Sequence, residues 1–389
     1  MIDTRDSSLF GTRNPMEGEV RIPSGCAIAG IFHKKGGKIG GDTIIREMEP
    51  MHDRSNGLGG GYAGYGIYPD FADCYAFHMF YDNESARDDC EHYLKRFFDI
   101  HSMSVMPTRP MREITDPPII WRYFVTPKAW RCQEEAMDED AFTAAHVLHV
   151  NVNIPGAFIF SSGKNMGVFK GVGYPEDMGR FFRLEEYAAT CWTAHGRYPT
   201  NTPGWWGGAH PFTLLDVSVV HNGEISSYDA NRRCMEMYGY TCTLMTDTEV
   251  IAHMLDYYYK GDPLDAISKV MHRMEGSYGL GIMFRDHPDE VYAVRKDSPL
   301  IVGTSPEGNL IASDVPAVLK YTRDVYFLEN EEIVKLTRDG LHFYNIDEEE
   351  LEKEATHIDW DMNAAEKGGY EHFMPVSYTH LRAHETSQD

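Results

Sequence analysis

The first 25 residues and the chain that follows differ in their pattern of apolar and polar positions. Residues 1–25 are mostly polar and contain Pro15 and Pro23, and they show no helical or alternating periodicity. From Cys26 the chain changes to an apolar run, residues 27–32, with β-branched Ile28 and Ile31. Such a run predicts a buried strand. We therefore expect the folded part to begin at Cys26 and residues 1–25 to form a propeptide or detachable leader.

Farther along, apolar residues recur with both helical and strand periods. Helical spacing predicts helices at 44–51 and 86–98, and the glycine-dense stretch 57–66 predicts a tightly packed strand between them. Residues 157–160 and 167–171 predict two strands joined as a hairpin. Because strands fall in two blocks with helices between and after them, the fold class is α+β or layered.

A buried strand and an amphipathic helix follow each other in the middle of the chain. Residues 217–221 predict a strand that stops in a turn at Asn222-Gly223. Farther on, Val250, Ile251, Met254 and Leu255 have helical spacing, and Thr246 or Asp247 lies where the N-cap of that helix is expected.

The composition changes near residue 350. Acidic residues dominate 347–354, a mixed polar segment follows, and the last 15 residues have no apolar periodicity. We therefore expect a folded domain at 26–350, a linker at 351–374 towards a further synthase domain, and a non-native or disordered tail at 375–389.

Net charge and cysteine content restrict the classes of function. The chain has 60 acidic and 36 basic residues, a formal net charge of -24, which argues against partners such as nucleic acid or an anionic membrane surface. It contains no apolar stretch of spanning length and no secretory signal, so we expect it in the cytoplasm. Its seven cysteines lack zinc spacing, and we interpret them as reduced thiols, with no metal site.

Three separated segments offer the parts of an acyl-transfer site. If Cys26 became N-terminal, its thiol would be the nucleophile and its α-amine, with an ordinary pKa of roughly 7.7–8.0, the base. The Asn222 side chain and the Gly223 N–H could donate to an oxyanion, although Asn-Gly alone is more often a hairpin turn. Arg197 and Asp247 could bind charged groups, although singly each fits a surface cation or a helix cap.

Two other patterns are less convincing as functional sites. The glycines at 59–64 match the dinucleotide-binding spacing but follow a predicted helix instead of a strand, so we reject that interpretation. His146, His149 and His221 lack further ligands at metal spacing, and we interpret them as structural histidines.

Five ordered motifs together resemble the class-II glutamine amidotransferases, and they cover roughly residues 26–374. Residues 26–31 resemble the opening of that family, with Ala27 in place of its usual glycine. The other four motifs are found at 195–202, 209–212, 221–225 and 247–250. The form of the 195–202 motif is closest to the glutamate synthase branch of the family.

The resemblance implies a fold, a reaction and roles for these residues. The fold would be a four-layer αββα sandwich of the N-terminal-nucleophile hydrolase type, without a cofactor. Cys26 would attack L-glutamine, Asn222 and Gly223 would form the oxyanion hole, and Arg197, Asn201 and Asp247 would bind the substrate. An ammonia-accepting synthase domain or subunit would be the partner.

The acceptor of the ammonia is left open by the sequence. The motif at 197–202 favours glutamate synthase, whereas 364–374 and 295–300 resemble the hexosamine-phosphate synthase branch, and amidophosphoribosyltransferase is a third alternative. A hydrolase for another amide and a non-catalytic glutamine-sensing module are rival interpretations. The segment 68–136 is longer than in smaller relatives, so we expect a substrate loop or a partner surface there.

Overall fold

The computed structural model of the protein describes residues 25–198, 204–215, 217–244 and 246–359. Residues Gly25–Ile358 form one compact unit. This unit includes the start of the predicted linker at 351–374, because the short strand Thr356–His357 pairs with Asp324–Val325. Residues 1–24, most of that linker and the predicted tail at 375–389 lie outside the described residues.

The strands of this unit are numbered along the chain. They are β1 (Ala27–His33), β2 (Ile39–Gly40), β3 (Gly60–Tyr65), β4 (Tyr75–Tyr81), β5 (Phe98–Val105), β6 (Ile119–Pro127), β7 (Ala157–Ser161), β8 (Met166–Gly171), β9 (Ala188–Ala189), β10 (Cys191–Gly196), β11 (Phe212–Leu214), β12 (Val217–Ile225), β13 (Gly276–Phe284), β14 (Val291–Lys296), β15 (Ile301–Thr304), β16 (Gly308–Ala312), β17 (Asp324–Phe327), β18 (Glu332–Leu336), β19 (Leu341–Asn345), β20 (Glu350–Leu351) and β21 (Thr356–His357).

The α-helices lie between these strands, from residue 41 to residue 273. They are α1 (Gly41–Met48), α2 (Glu84–Phe97), α3 (Ala129–Glu135), α4 (Glu139–Asn153), α5 (Pro175–Phe181), α6 (Tyr228–Met237), α7 (Asp247–Tyr258) and α8 (Pro263–Arg273).

Two antiparallel sheets form the centre of the fold. One has eight strands in the order β21-β17-β15-β16-β1-β10-β3-β8, and the other has seven in the order β11-β12-β13-β14-β18-β19-β20. Strands β1 and β10 of the first sheet contact β12 or β13 of the second. β1 is paired on both edges, and its residues from Ala27 to Phe32 are all buried. This explains why it reads as a continuous apolar run.

Helices cover the outer face of each sheet. α1 and α5 contact strands of the eight-stranded sheet. α6, α7 and α8 share an apolar core with β12, β13 and β14 of the other sheet, through residues such as Met235, Leu255, Ile267 and Leu280. The order of layers is therefore αββα, and the predicted α+β four-layer sandwich is confirmed.

A separate subdomain is inserted between β3 and β8. Its strands have the order β5-β6-β4-β7, and the chain runs β4-α2-β5-β6-α3-α4-β7, which is the split βαβ pattern of ferredoxin-like units. It has its own apolar core around Phe77, Phe98 and Phe142. The long segment expected at 68–136 is thus part of a folded subdomain and not a loop, and the subdomain continues to Ser161.

The hairpin predicted at 157–171 is wrong. β7 pairs with β4 in the inserted subdomain, whereas β8 pairs with β3 at the edge of the eight-stranded sheet. The residues between them carry the chain from one sheet to another. Two adjacent strand signals do not identify their pairing partners, because pairing also depends on distant parts of the chain.

Truncation of Phe98 tests whether the inserted subdomain depends on its own core. Phe98 is 1% exposed and packs edge-on against Phe77. We expect Phe98→Ala to lower the free energy of unfolding by about 3–5 kcal/mol, because it removes transfer energy and leaves a cavity. Urea unfolding measures the change. Val105→Ala on the same strand, where Val105 is 58% exposed, should change it by less than about 0.5 kcal/mol; equal losses would contradict the assignment of this core.

Candidate active site

Cys26 lies directly before β1, at the edge of the space between the two central sheets. The pairing of β1 with β10 places Ala27 opposite Gly196, so the residues that follow β10 lie beside the cysteine. The Tyr198 N–H donates to Cys26 Sγ at 3.3 Å. The strand register therefore brings residues far apart in sequence to the same thiol.

The environment of Cys26 acts on its pKa in both directions. Burial raises the pKa of the thiol, and this effect prevails over the Tyr198 N–H and the positive charges of Arg197 and Arg54, which lower it. A protonated thiol is a poor nucleophile until a base removes its proton. While residues 1–25 are attached, the nitrogen of Cys26 is part of the peptide bond to Gly25, so the proposed α-amine base requires cleavage of that bond.

Asn222 approaches the same place from the facing sheet. It is 4% exposed, and its Nδ2 is buried without a hydrogen-bond partner among the described residues. Its Oδ1 lies 3.6 Å from the position that a Cβ on Gly25 would occupy. An unpaired amide donor beside the nucleophile is the arrangement that an oxyanion requires.

The turn predicted at Asn222-Gly223 is wrong, because β12 continues through both residues to Ile225 and pairs with β13 along its whole length. Gly223 has φ +138°, and a Cβ there would lie 1.9 Å from the carbonyl oxygen of Ser277. The glycine is therefore required by the close approach of two strands, not by a hairpin turn.

Arg197 directly follows β10, and both its backbone N–H and its backbone carbonyl form hydrogen bonds. Its N–H donates to Gly59 O at 2.7 Å, and its carbonyl accepts from the Asn56 N–H at 3.2 Å. Burial lowers the pKa of the guanidinium, while the nearby Cys26 and Asp247 raise it, so all three groups belong to one electrostatic site. Asn201, the third predicted substrate-binding residue, lies outside the described residues.

Asp247 begins α7, and Thr246 is the N-cap of that helix, as predicted. The carboxylate accepts from the Ile225 N–H at 3.2 Å and lies 3.6 Å from His221 Nδ1. Burial raises its pKa, but His221 and the backbone donors outweigh burial and lower the pKa to about 2. Asp247 is therefore an anion throughout the neutral range and suits an ammonium group.

Arg54 is a member of the site that the sequence did not indicate. It ends a short 3₁₀ helix, Glu49–Arg54, and one guanidinium nitrogen lies 3.5 Å from the position of a Cβ on Gly25. A second contact joins it to Asp314 at 3.5 Å. A single arginine after a helix carries no local signal, because tertiary packing alone brings it to Cys26.

Three histidines, which the sequence likewise did not connect, lie between the sheets behind the site. His195 Nε2 donates to the carbonyl oxygen of His221 at 2.8 Å, and the His195 ring stacks on His210 at 4.0 Å. His210 Nε2 and His221 Nδ1 lie 2.8 and 3.1 Å from the Thr248 hydroxyl. Burial lowers the pKa of His195 to about 3. The contact from His195 to His221 connects β10 with β12.

The part of the chain that the structure describes has neither a metal-ligand cluster nor a membrane-spanning helix. No group of three or more His, Cys, Asp or Glu side chains there could hold a metal ion. None of its helices is long and apolar enough to cross a bilayer.

Gly223→Ala tests the close approach of β12 and β13. We expect it to lower the free energy of unfolding by about 3 kcal/mol or more, because the methyl group meets Ser277 O in addition to the cost of a positive φ. Gly239→Ala is the matched control, since Gly239 has φ +96° and nothing within 4 Å of its Cβ position. Its cost should be about 1–2 kcal/mol. Similar losses in the two variants, measured by urea unfolding, would show that Ser277 leaves room for a side chain.

Two family models match the chain. The class-II glutamine amidotransferases match residues 76–254, and a glutamine amidotransferase domain matches residues 205–320. Together the matched ranges include Arg197, Asn222 and Asp247, whereas Cys26 precedes both.

Similar proteins come from archaea and bacteria. An uncharacterised protein of Archaeoglobus fulgidus is 47% identical over 250 residues, which are 63% of this chain and 66% of that protein. A glutamine–fructose-6-phosphate aminotransferase of Clostridium acetobutylicum is 52% identical over 187 residues, 48% of this chain but only 30% of the relative. The aligned part is thus slightly under two thirds of the archaeal protein and under a third of the aminotransferase.

Among solved structures, a glutamine phosphoribosylpyrophosphate amidotransferase from B. subtilis aligns with 82% of this chain and 49% of its own, at 13% identity and a TM-score of 0.49. The family matches confirm the resemblance found in the motifs, and with it the prediction of an enzyme family. The chain therefore contains a class-II glutamine amidotransferase domain.

Proposed function

We propose that this chain hydrolyses L-glutamine to glutamate and ammonia through a thioester on Cys26, once residues 1–25 have been removed. The observation that carries the proposal is the convergence of Cys26, Arg197, Asn222 and Asp247 on one site from two facing sheets. Arg197 would bind the α-carboxylate and Asp247 the α-ammonium group, the two charges that distinguish a free amino acid from an amide within a protein.

The reaction divides into two steps. The free α-amine of Cys26 takes the thiol proton as sulfur attacks the side-chain amide carbon, and the resulting oxyanion accepts from Asn222 Nδ2 and the Gly223 N–H. The C–N bond then breaks, and the amine returns the proton to the departing ammonia. Water, activated by the same amine, hydrolyses the thioester to glutamate and restores the thiol.

The test of this proposal compares processed and unprocessed protein. A chain that begins at Cys26 should release glutamate and ammonia from glutamine in equal amounts, whereas a chain that retains residues 1–25 should not, because its Cys26 nitrogen is an amide and cannot act as a base. Coupled assays of both products measure the reaction.

Cys26→Ala in the processed chain should abolish release, and Cys74→Ala, which changes a thiol outside the site, should not. Full activity of the Cys26 variant would remove this residue from the mechanism. Binding of glutamine by the processed wild-type protein without turnover would instead favour a glutamine-sensing module.

Two isosteric variants should separate catalysis from binding. Asn222→Asp removes the amide donor, so we expect kcat to fall about 10²–10³-fold with a smaller change in KM. Asp247→Asn removes the charge that pairs with the substrate ammonium, so KM should rise about tenfold or more. Steady-state kinetics with glutamine measures both. The reverse pattern, a KM effect at residue 222 and a kcat effect at residue 247, would refute the assigned roles.

For the ammonia acceptor we propose the synthase component of a glutamate synthase, supported by the form of the motif at 195–202. The name of the Clostridium relative supports a second candidate, a fructose-6-phosphate aminotransferase partner. Affinity capture of the processed chain from its source cells, followed by assays with 2-oxoglutarate or fructose 6-phosphate, distinguishes them: amination of fructose 6-phosphate alone would overturn the first candidate.

A further inference from the structure

A cavity of about 90 Å³ lies between the inserted subdomain and the central layers, separate from Cys26. α4 and β7 of the subdomain border it on one side, and β8, β11 and α7 border it on the other. Its walls are largely apolar, with Leu148, Phe158 and Leu215 among them, and three ionisable residues, Lys170, Glu249 and His253, also line it. Burial lowers the pKa of His253 to about 4, so its ring carries no charge at neutral pH. Such a volume has room for several water molecules or one small organic molecule.

Lys170 is the unusual feature of this cavity. The residue is 2% exposed, and its Nζ donates to Pro211 O at 3.2 Å and lies 4.6 Å from the centre of the Phe212 ring. An ammonium group has three donors, yet Pro211 O is its one hydrogen-bond acceptor among the residues that the structure describes. Burial lowers the pKa of Lys170 to about 7. A buried cation of this kind is stabilised by an anion in contact with it.

Glu249 does not provide that contact. Its carboxylate is occupied by the loop before α7, where it accepts from Thr243 N at 2.7 Å and Leu244 N at 2.9 Å. It forms no ion pair with Lys170 within 4 Å, although its charge acts on the lysine over a longer distance. The negative charge of Glu249 disfavours dianions such as phosphate in the cavity, because like charges repel in a medium of low dielectric constant.

The geometry points to a second ligand site in this cavity, for a small aliphatic monocarboxylate whose carboxylate pairs with Lys170 and whose carbon chain packs against the apolar walls. A monoanion satisfies the lysine with the least repulsion from Glu249. The apolar residues match a short hydrocarbon chain, which is better buried than exposed to water. The site does not depend on glutamine hydrolysis, so it can be tested whether or not the protein has that activity.

Isothermal titration calorimetry of the full chain with sodium butyrate tests the site. Butyramide, which has the same shape without the charge, is the control ligand. We expect saturable binding of butyrate and at least tenfold weaker binding of butyramide. Equal affinities, or the absence of saturable binding of butyrate, would overturn the proposal.

Two lysine variants locate the binding. Lys170→Met removes the charge and nearly conserves the volume, and it should weaken butyrate binding at least tenfold. Lys164→Met is the matched control, because Lys164 lies in the connection between β7 and β8, pairs with Glu139 at 3.3 Å and does not line the cavity. Loss of binding in both variants, or in neither, would contradict the assignment to Lys170.

A third variant keeps the proposal testable if Lys170→Met does not fold. Glu249→Gln removes the repelling charge, and its amide oxygen can keep one of the two backbone hydrogen bonds, from Thr243 N or from Leu244 N, while the other is lost. Butyrate should then bind several-fold more tightly than to the wild type, provided that circular dichroism shows an unchanged fold. Unchanged or weaker binding in a folded Glu249→Gln protein would show that the carboxylate does not bind in this cavity.

Discussion

The hydrogen bond from His195 to the carbonyl oxygen of His221 joins the two sheets on which the whole site depends. His195 precedes Gly196, which pairs with Ala27 next to the nucleophile, and His221 precedes the oxyanion donor Asn222. One interior contact thus fixes the separation between attacking group and donor. Burial keeps the His195 ring neutral, and a charged ring between two apolar sheets would be costly.

Elements whose signal is local could be predicted from the sequence. The apolar run after Cys26 becomes β1, and Thr246 caps α7 as its side chain and position suggested. The Asn222-Gly223 turn failed because a frequent local conformation was overridden by a distant strand, β13, whose Ser277 lies against the glycine. The predicted hairpin at 157–171 failed for the same reason, since the partners of both strands lie elsewhere in the chain.

The residues of the candidate site also divide into those with a signal in the sequence and those without one. Cys26, Arg197 and Asp247 carried motif signals, and the structure brings them together. Arg54 had no such signal, because it lies in no pattern that indicates a neighbour, and only the packing of distant segments makes it part of the site. Lys170 was recognisable only as a polar residue in an apolar strand, and its burial depends on the inserted subdomain.

The two ends of the inserted subdomain meet. Tyr75 forms an isolated bridge with Lys164, and Asn165 accepts from the N–H groups of Gly66 and Tyr68. The chain therefore enters and leaves the subdomain at adjacent points, and a domain whose two ends lie close together is readily inserted into another. Such a subdomain can be gained, lost or exchanged in evolution without a change in the path of the chain through the central layers. Relatives can therefore differ in this subdomain while they keep the same catalytic layers.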